Sequence, residues 1–272
     1  MLTGRERNYI VIVMNKLPTR SSMRDNHFES YKAYFKSGYY RKRYPHPNPS
    51  TLACIAAYLS NTKTAVDIGC GDGRYSVPMS KALRHITCID ISDEAVADLR
   101  ARIHSERIEN IDVVICEPPV TLKQFLAPKS INVVTMIFGV LSHIVNDNER
   151  HTILSDVNAV LSDDGVFILS VPNKQRRFRQ EQLQQETSTI SYSRNSNGTV
   201  LKMSYKLYDA AEITQELLSE NFTDISIVPE TVFAESVVVK YRWIAALDYL
   251  LCRIVPHRWA YGFLIRARKQ PQ

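Results

Sequence analysis

Cysteine is sparse and unpaired in this 272-residue chain. Its five cysteines, Cys54, Cys70, Cys88, Cys116 and Cys252, are scattered, odd in number and without a CxxC pair. That excludes a disulfide framework and a cysteine-rich zinc site, leaves no metal site to expect, and fits a reducing, cytoplasmic setting. Long uninterrupted apolar runs are lacking too. The run at 9–14 is too short for a secretory core with its cleavage site and far too short to span a bilayer. It reads as a loose strand or as sequence upstream of the true start, since Met14 and Met23 both offer alternative starts. The apolar stretch ESVVVKYRWIAALDYLLCRIV at 235–255 is interrupted by Lys240, Arg242, Asp248 and Arg253, so no transmembrane segment is expected. There is no internal repeat, no low-complexity tract and no GxxxxGK[ST] phosphate loop.

What is present suits one large α/β domain, for which the 44% hydrophobic content supplies a core. The net charge of +6 would suit RNA or an acidic membrane surface, but many ordinary enzymes are as basic. Residues 1–49 are polar, basic and aromatic and end in RYPHPNPS, whose alternating prolines rule out a helix there; they read as an arm or cap. The domain then runs 50–272. Ser50 is the expected N-cap of a helix through TLACIAAYL, and a further helix is expected from Arg74 to about Leu83. Short β-branched runs at TAVDI, ITCID, DVVIC, NVVTMIF and GVFILSV alternate with helical patterns, one of them capped by Ser92 and another across NERHTILSDVNAVL. A helix at 210–219 and strands at FTDISIV and YGFLIRA complete a doubly wound, mostly parallel seven-stranded sheet. Insertions at about 173–208 and 231–258 fall outside that alternation and read as substrate cover. The first opens with polar, basic sequence expected as an exposed loop or helix. The second places Trp243, Leu247, Leu250 and Ile254 on one helical face, which reads first as core cover, then as a lid, then as a dimer face.

Chemistry concentrates in VDIGCGDGRYS, residues 66–76, where a strand runs into glycines at 69, 71 and 73. Such a turn lets a ligand approach backbone N–H groups with no Cβ in the way. The dinucleotide fingerprint needs a small residue where this chain has Arg74, so that reading fails. Asp67 at the strand end would repel a pyrophosphate but attract a ligand carrying an ammonium and a sulfonium. Asp90 ends the next strand, where the ribose-binding acid of a nucleotide-type α/β fold belongs. S-adenosylmethionine has that combination of groups.

VDIGCGDG, the acid in CIDIS and the strands that follow resemble the class I S-adenosylmethionine-dependent methyltransferases, with their Rossmann-like fold, over roughly 65–171 and again at 222–268. The resemblance implies S-adenosyl-L-methionine as cofactor. It implies that Asp67, Gly69, Gly71 and Gly73 hold the methionine part and Asp90 the ribose, that Glu117 meets the adenine amino group, and that Ile91 packs on the adenine face. Phe138 resembles the residue lining the methionine end. In related enzymes the N-terminal arm folds over the cofactor and supplies a cation to its carboxylate, which makes Arg43 and Tyr44 candidates; a plain solvated arm is the alternative. Asp72 is expected to hold the turn by accepting backbone N–H bonds, and Cys70 to be a packing residue. His143, just past the fourth strand, is a candidate proton acceptor, with a structural role as the alternative. KQRRFR at 174–179 reads as a solvated basic face or as a contact for phosphates.

These residues point to an enzyme that methylates an oxygen or nitrogen of a small-molecule acceptor. A wobble-uridine type tRNA methyltransferase, suggested by the likeness of VLSHI and the general layout, and a non-catalytic cofactor-binding protein are the alternatives. Dimerisation through 235–255 is a further candidate.

Overall fold

A computed structural model of the chain describes residues 22–116, 121–185, 187–196 and 199–270. The apolar run at 9–14 and Glu117 lie outside them.

An arm of two helices, α1 (Ser22–Lys36) and α2 (Tyr39–Arg43), leads into α3 (Pro49–Ala56). Then β1 (Thr64–Ile68), α4 (Ser76–Ser80), β2 (His85–Asp90), α5 (Asp93–Ser105), β3 (Ile111–Ile115) and β4 (Ile131–Met136) alternate. The chain goes on through α6 (Val140–His143), α7 (Asp147–Val160) and β5 (Leu161–Pro172). After α8 (Arg179–Gln185), β6 (Thr189–Ser196) and β7 (Thr199–Lys206) pair with each other alone. Next come α9 (Ala210–Ser219), β8 (Phe222–Thr231), α10 (Glu235–Val238), α11 (Arg242–Ile254) and β9 (Gly262–Lys269).

The seven-stranded sheet runs β3-β2-β1-β4-β5-β9-β8. Every pairing among β1 to β5 is parallel, and β9 enters antiparallel between β5 and β8. Its strands are nearly continuous apolar runs because both faces are covered. Alternate residues divide between two cores: Val66, Ile89, Val134 and Phe167 on one face, Ala65, Cys88, Val133 and Ile168 on the other. The strand order reverses at β1, which lies between β2 and β4, so the crevice beyond the C-terminal ends of β1 and β4 is where a doubly wound sheet binds ligands. The expected sheet, with all seven of its strands, is therefore present.

Several expectations need correction. The N-cap of α3 is Asn48, not Ser50: Pro49 takes the first helical position and the Asn48 side chain accepts from the Ser50 N–H at 2.9 Å. The helix after the glycine turn spans only Ser76–Ser80, because Gly73 (φ 78°) and the turn residues beside it are not helical. The insertion after β5 is not only loop and helix. It carries the β6–β7 hairpin, whose signal was the Asn197-Gly198 dipeptide between two strand-like runs. The 235–255 helix is broken in two, with Tyr241 as the N-cap of α11. The face carrying Trp243, Leu247, Leu250 and Ile254 is exposed rather than core cover.

Asp248 explains how that insertion is attached. It is fully buried, and its Oδ1 accepts the N–H groups of Val232 and Phe233, both at 2.9 Å, tying α11 to the end of β8. Replacing it with alanine leaves two N–H donors without their acceptor. We expect Asp248→Ala to lower unfolding free energy by about 2–4 kcal/mol, read as a shifted urea midpoint; an unchanged midpoint would show that solvent satisfies those groups.

Candidate active site

The glycine turn is built by hydrogen bonds from the neighbouring strand. Gly69 and Cys70 N–H groups donate to the Ile89 carbonyl at 2.7 and 3.1 Å. The Gly71 N–H donates to Asp90 Oδ2 at 2.7 Å, and the Ser92 N–H to Asp90 Oδ1 at 2.9 Å. Asp90 thus clasps the turn and starts α5, whose N-cap is Ser92 as expected. Gly69 and Gly73 have φ of 73° and 78°, and a Cβ would lie 2.4 Å from Val140 and from Leu99 respectively. No other residue fits there. A Cβ on Gly71 would meet the Phe35 ring of α1 at 3.2 Å, so the arm lies directly over the turn.

Asp67 is buried at the end of β1. Its carboxylate accepts from Ser76 Oγ at 2.5 Å and from Thr135 Oγ1 at 2.7 Å, locking β1 to α4 and β4. Burial raises Asp67 to about 6, and burial likewise raises Asp90 to about 6 despite the N–H groups that favour its charge. Asp72 does not hold the turn: its Oδ1 is buried with no hydrogen-bond partner among the described residues. Arg102 does that work instead, donating to the carbonyls of Asp72 at 3.2 Å and Gly73 at 3.4 Å. Ile91 follows Asp90 in the β2–α5 loop, half-buried, and Cys70 is a buried packing residue.

Arg74 is the main residue whose role the sequence concealed. Its side chain is only 4% exposed and pairs with Glu235 of α10 at 3.1 Å. The guanidinium lies 4.4 Å from the Phe138 ring centroid, 4.8 Å from Tyr75, and 5.6 Å from both Tyr40 and Tyr44. Phe138 holds a left-handed backbone (φ 69°) with its N–H on Ser170 Oγ at 2.7 Å, which turns its ring toward Arg74 and Tyr44. Arg43 donates to the hydroxyls of Tyr44 at 3.0 Å and Tyr39 at 3.1 Å. Arg43, Tyr44 and Phe138 are thus brought together, and all three line one cavity of about 170 Å³.

That cavity also reaches His143, whose ring sits 4.5 Å from Tyr205 and 5.7 Å from Tyr31. Arg177, read from the sequence as part of a solvated basic run, turns inward over Tyr261 at 4.9 Å and Tyr205 at 5.6 Å. Its neighbours stay outside: Lys174 pairs with Glu212 at 2.7 Å and Arg176 donates to the Trp259 carbonyl at 3.1 Å. The far wall carries Glu230, 6% exposed, whose Oε1 has no hydrogen-bond partner among the described residues. Burial, reinforced by the nearby Glu235, pushes Glu230 up to about 8. A run of nine residues such as FTDISIVPE gave no hint that its final acid would be turned into a pocket.

A family model described as a methyltransferase domain matches residues 65–165. Residues 65–165 thus match a methyltransferase domain, and the sheet around them has the fold of S-adenosylmethionine-dependent methyltransferases. A curated relative, the ubiquinone biosynthesis O-methyltransferase of Glaesserella parasuis, is 30% identical over 135 residues, covering 47% of this chain and 53% of the relative. The chain therefore spans about half the length of the curated relative it matches. Among solved structures, a SAM-dependent methyltransferase from Methanosarcina mazei superposes with a TM-score of 0.60 at 17% identity, over 84% of this chain and all of that one. The 1,6-didemethyltoxoflavin-N1-methyltransferase of Burkholderia thailandensis, solved with 1,6-didemethyltoxoflavin and S-adenosylhomocysteine, gives 0.59 at 16% identity over 94% and 93% of the two chains.

The residues present fit S-adenosylmethionine as a cofactor. Asp72 offers an unpartnered buried oxygen to an ammonium, and Asp90, already holding the Gly71 and Ser92 N–H groups, keeps lone pairs for paired hydroxyls. Because Asp67 and Asp90 are held near 6, each is largely protonated below that pH and must ionise to receive a cation or two hydroxyl donors. Cofactor affinity is therefore expected to rise roughly tenfold between pH 5 and pH 8 and to level off above 7. Titration calorimetry across that range checks it, with Asp90→Asn expected to bind more weakly and with a shallower pH slope. Equal wild-type affinity at both ends would remove the carboxylates from the site.

Proposed function

We propose that this methyltransferase moves a methyl group to an oxygen or nitrogen of a small-molecule acceptor held in the cavity beside Phe138 and His143. The reading rests on the cavity itself: about 170 Å³, walled by the arm on one side and by the β6–β7 hairpin and α10 on others, with seven tyrosines among its lining. Tyrosines give broad, rigid, amphipathic contact, which suits a compact partly apolar or aromatic acceptor. An RNA strand would need an open basic groove instead.

Bound S-adenosylmethionine supplies an activated methyl group on a positive sulfur, so the protein's tasks are to align the acceptor, keep water out and take up a proton. Gly69, Gly71, Gly73, Asp67, Asp72 and Asp90 would hold the cofactor, with Ile91 and Glu117 toward the adenine. Phe138, Tyr44 and Arg43 sit at the junction between that groove and the cavity. His143 orients an acceptor ring against Tyr205 and Tyr31. Glu230 is the better-placed proton acceptor, because its Oε1 is buried and unpartnered and its affinity for a proton is high enough to remove one from an acceptor hydroxyl or ammonium near neutral pH.

Incubating the protein with methyl-labelled cofactor and a cell extract, then separating RNA from low-mass compounds, tests the acceptor class. Label is expected in the low-mass fraction; label in RNA would favour the tRNA reading, and binding without any labelled product would mark a non-catalytic binder. With the acceptor in hand, kcat/KM is expected to climb to a plateau above about pH 8, because Glu230 accepts a proton only once ionised. Glu230→Gln is expected to lower kcat by about 10²–10⁴ with cofactor affinity unchanged, whereas an undiminished rate would pass the proton to His143 or to solvent.

A further inference from the structure

The insertion between β8 and β9 has two faces with opposite character. On α11, Trp243, Leu247, Leu250 and Ile254 recur at intervals of four, three and four residues and are 70%, 42%, 58% and 76% exposed. Tyr241, the N-cap of α11, and Trp259, in the turn after it, are each 53% exposed. Both tryptophans of the chain thus stand in solvent, and the stripe on α11 goes beyond the scattered exposure of single apolar residues that is ordinary for a folded chain.

Charge decides what this surface fits. Residues 232–259 contain two acids, and both turn inward: Glu235 to Arg74 and Asp248 to the backbone of Val232 and Phe233. The bases Lys240, Arg242, Arg253 and Arg258 are all exposed around the apolar stripe. A second copy of this chain would bring the same bases against themselves with no exposed acid from 232–259 to answer them. An anionic lipid surface answers them directly, and an amphipathic helix with tryptophan and tyrosine at its edges lies in the plane of such an interface. No helix among the described residues is long and apolar enough to cross a membrane, so the fit is lateral.

We propose that α11 with its flanks is an in-plane docking surface for anionic membranes. The apolar stripe enters the headgroup boundary while the surrounding bases meet lipid phosphates. Ala234, Glu235 and Ser236, at the start of α10, line the cavity, so the docking element adjoins the cavity wall through α10.

Because Trp243 lies in the stripe, its emission reports docking directly. The full chain is mixed with vesicles of phosphatidylcholine alone and of phosphatidylcholine with phosphatidylglycerol at about one lipid in three. Binding is followed by co-sedimentation and by tryptophan emission. The expected result is at least tenfold stronger binding to the anionic vesicles with a blue shift, weakened at high salt. Arg242→Ala and Arg253→Ala are expected to cost about fivefold each. Leu250→Ser with Ile254→Ser, both at exposed positions, should abolish the blue shift while the folded far-UV spectrum stays intact. Equal binding to both vesicle types would overturn the charge argument. No vesicle binding together with concentration-dependent self-association, lost in the double serine variant, would assign the surface to a second copy and overturn the proposal.

Discussion

The buried pair between Arg74 and Glu235 is the interaction on which the site depends. It joins the residue after the glycine turn to the first residue of α10, 161 positions later, inside a ring of Tyr40, Tyr44, Tyr75 and Phe138. A guanidinium removed from water is costly unless its charge is met, and here it is met by one carboxylate and four ring faces. Four separate segments contribute: the turn, the arm, the end of β4 and the insertion after β8. The cavity wall therefore exists only once all four have assembled. Loss of either charge leaves the other buried and alone, which typically costs about 3–5 kcal/mol.

This arrangement explains why the sheet was readable from sequence and the pocket was not. Val66, Val134 and Ile168 obey a local rule, since a short β-branched run buried on both faces reads as a parallel strand wherever it occurs. Gly69, Gly71, Gly73 and Asp90 are equally local, with the spacing of one strand-turn-helix unit. Arg74 follows no such rule. Its sequence position showed only what the turn could not bind, because the partner that gives it meaning lies on an element the sheet returns much later. Glu230 and Arg177 are of the same kind: a strand-end acid and a member of a basic run, each turned inward by contacts between elements far apart in the chain. The hairpin was legible in principle, through Asn197-Gly198, but the polar composition before it masked the alternation.

Electrostatics orders the groove. At the glycine turn, Asp67 and Asp90 are raised toward 6 by burial; at the far wall, Glu230 is raised to about 8, while Arg74 and Arg177 stand between and beside them. Empty carboxylates in such surroundings hold protons more readily than they would in water. A cationic ligand at the turn would reverse that preference there and favour ionisation of Asp67 and Asp90. Glu230 keeps its high proton affinity through burial first and the negative charge of Glu235 second, against the opposing fields of Arg74 and Arg177. The same side-chain chemistry under different burial thus gives the two ends of the groove different proton affinities.

The segment from 232 to 259 combines these constraints on one short length of chain. Its two acids are spent inward, Glu235 on the ion pair and Asp248 on the backbone that pins α11 against β8. With those contacts made, Trp243, Leu247, Leu250 and Ile254 have no inward direction left, because the helix is already fixed by its opposite side. The apolar stripe is therefore held outward by the same bonds that complete the cavity. A chain that needed the helix only as core cover would place its leucines where Asp248 is; burying the acid and exposing the tryptophans is the arrangement of an element with work on both of its faces.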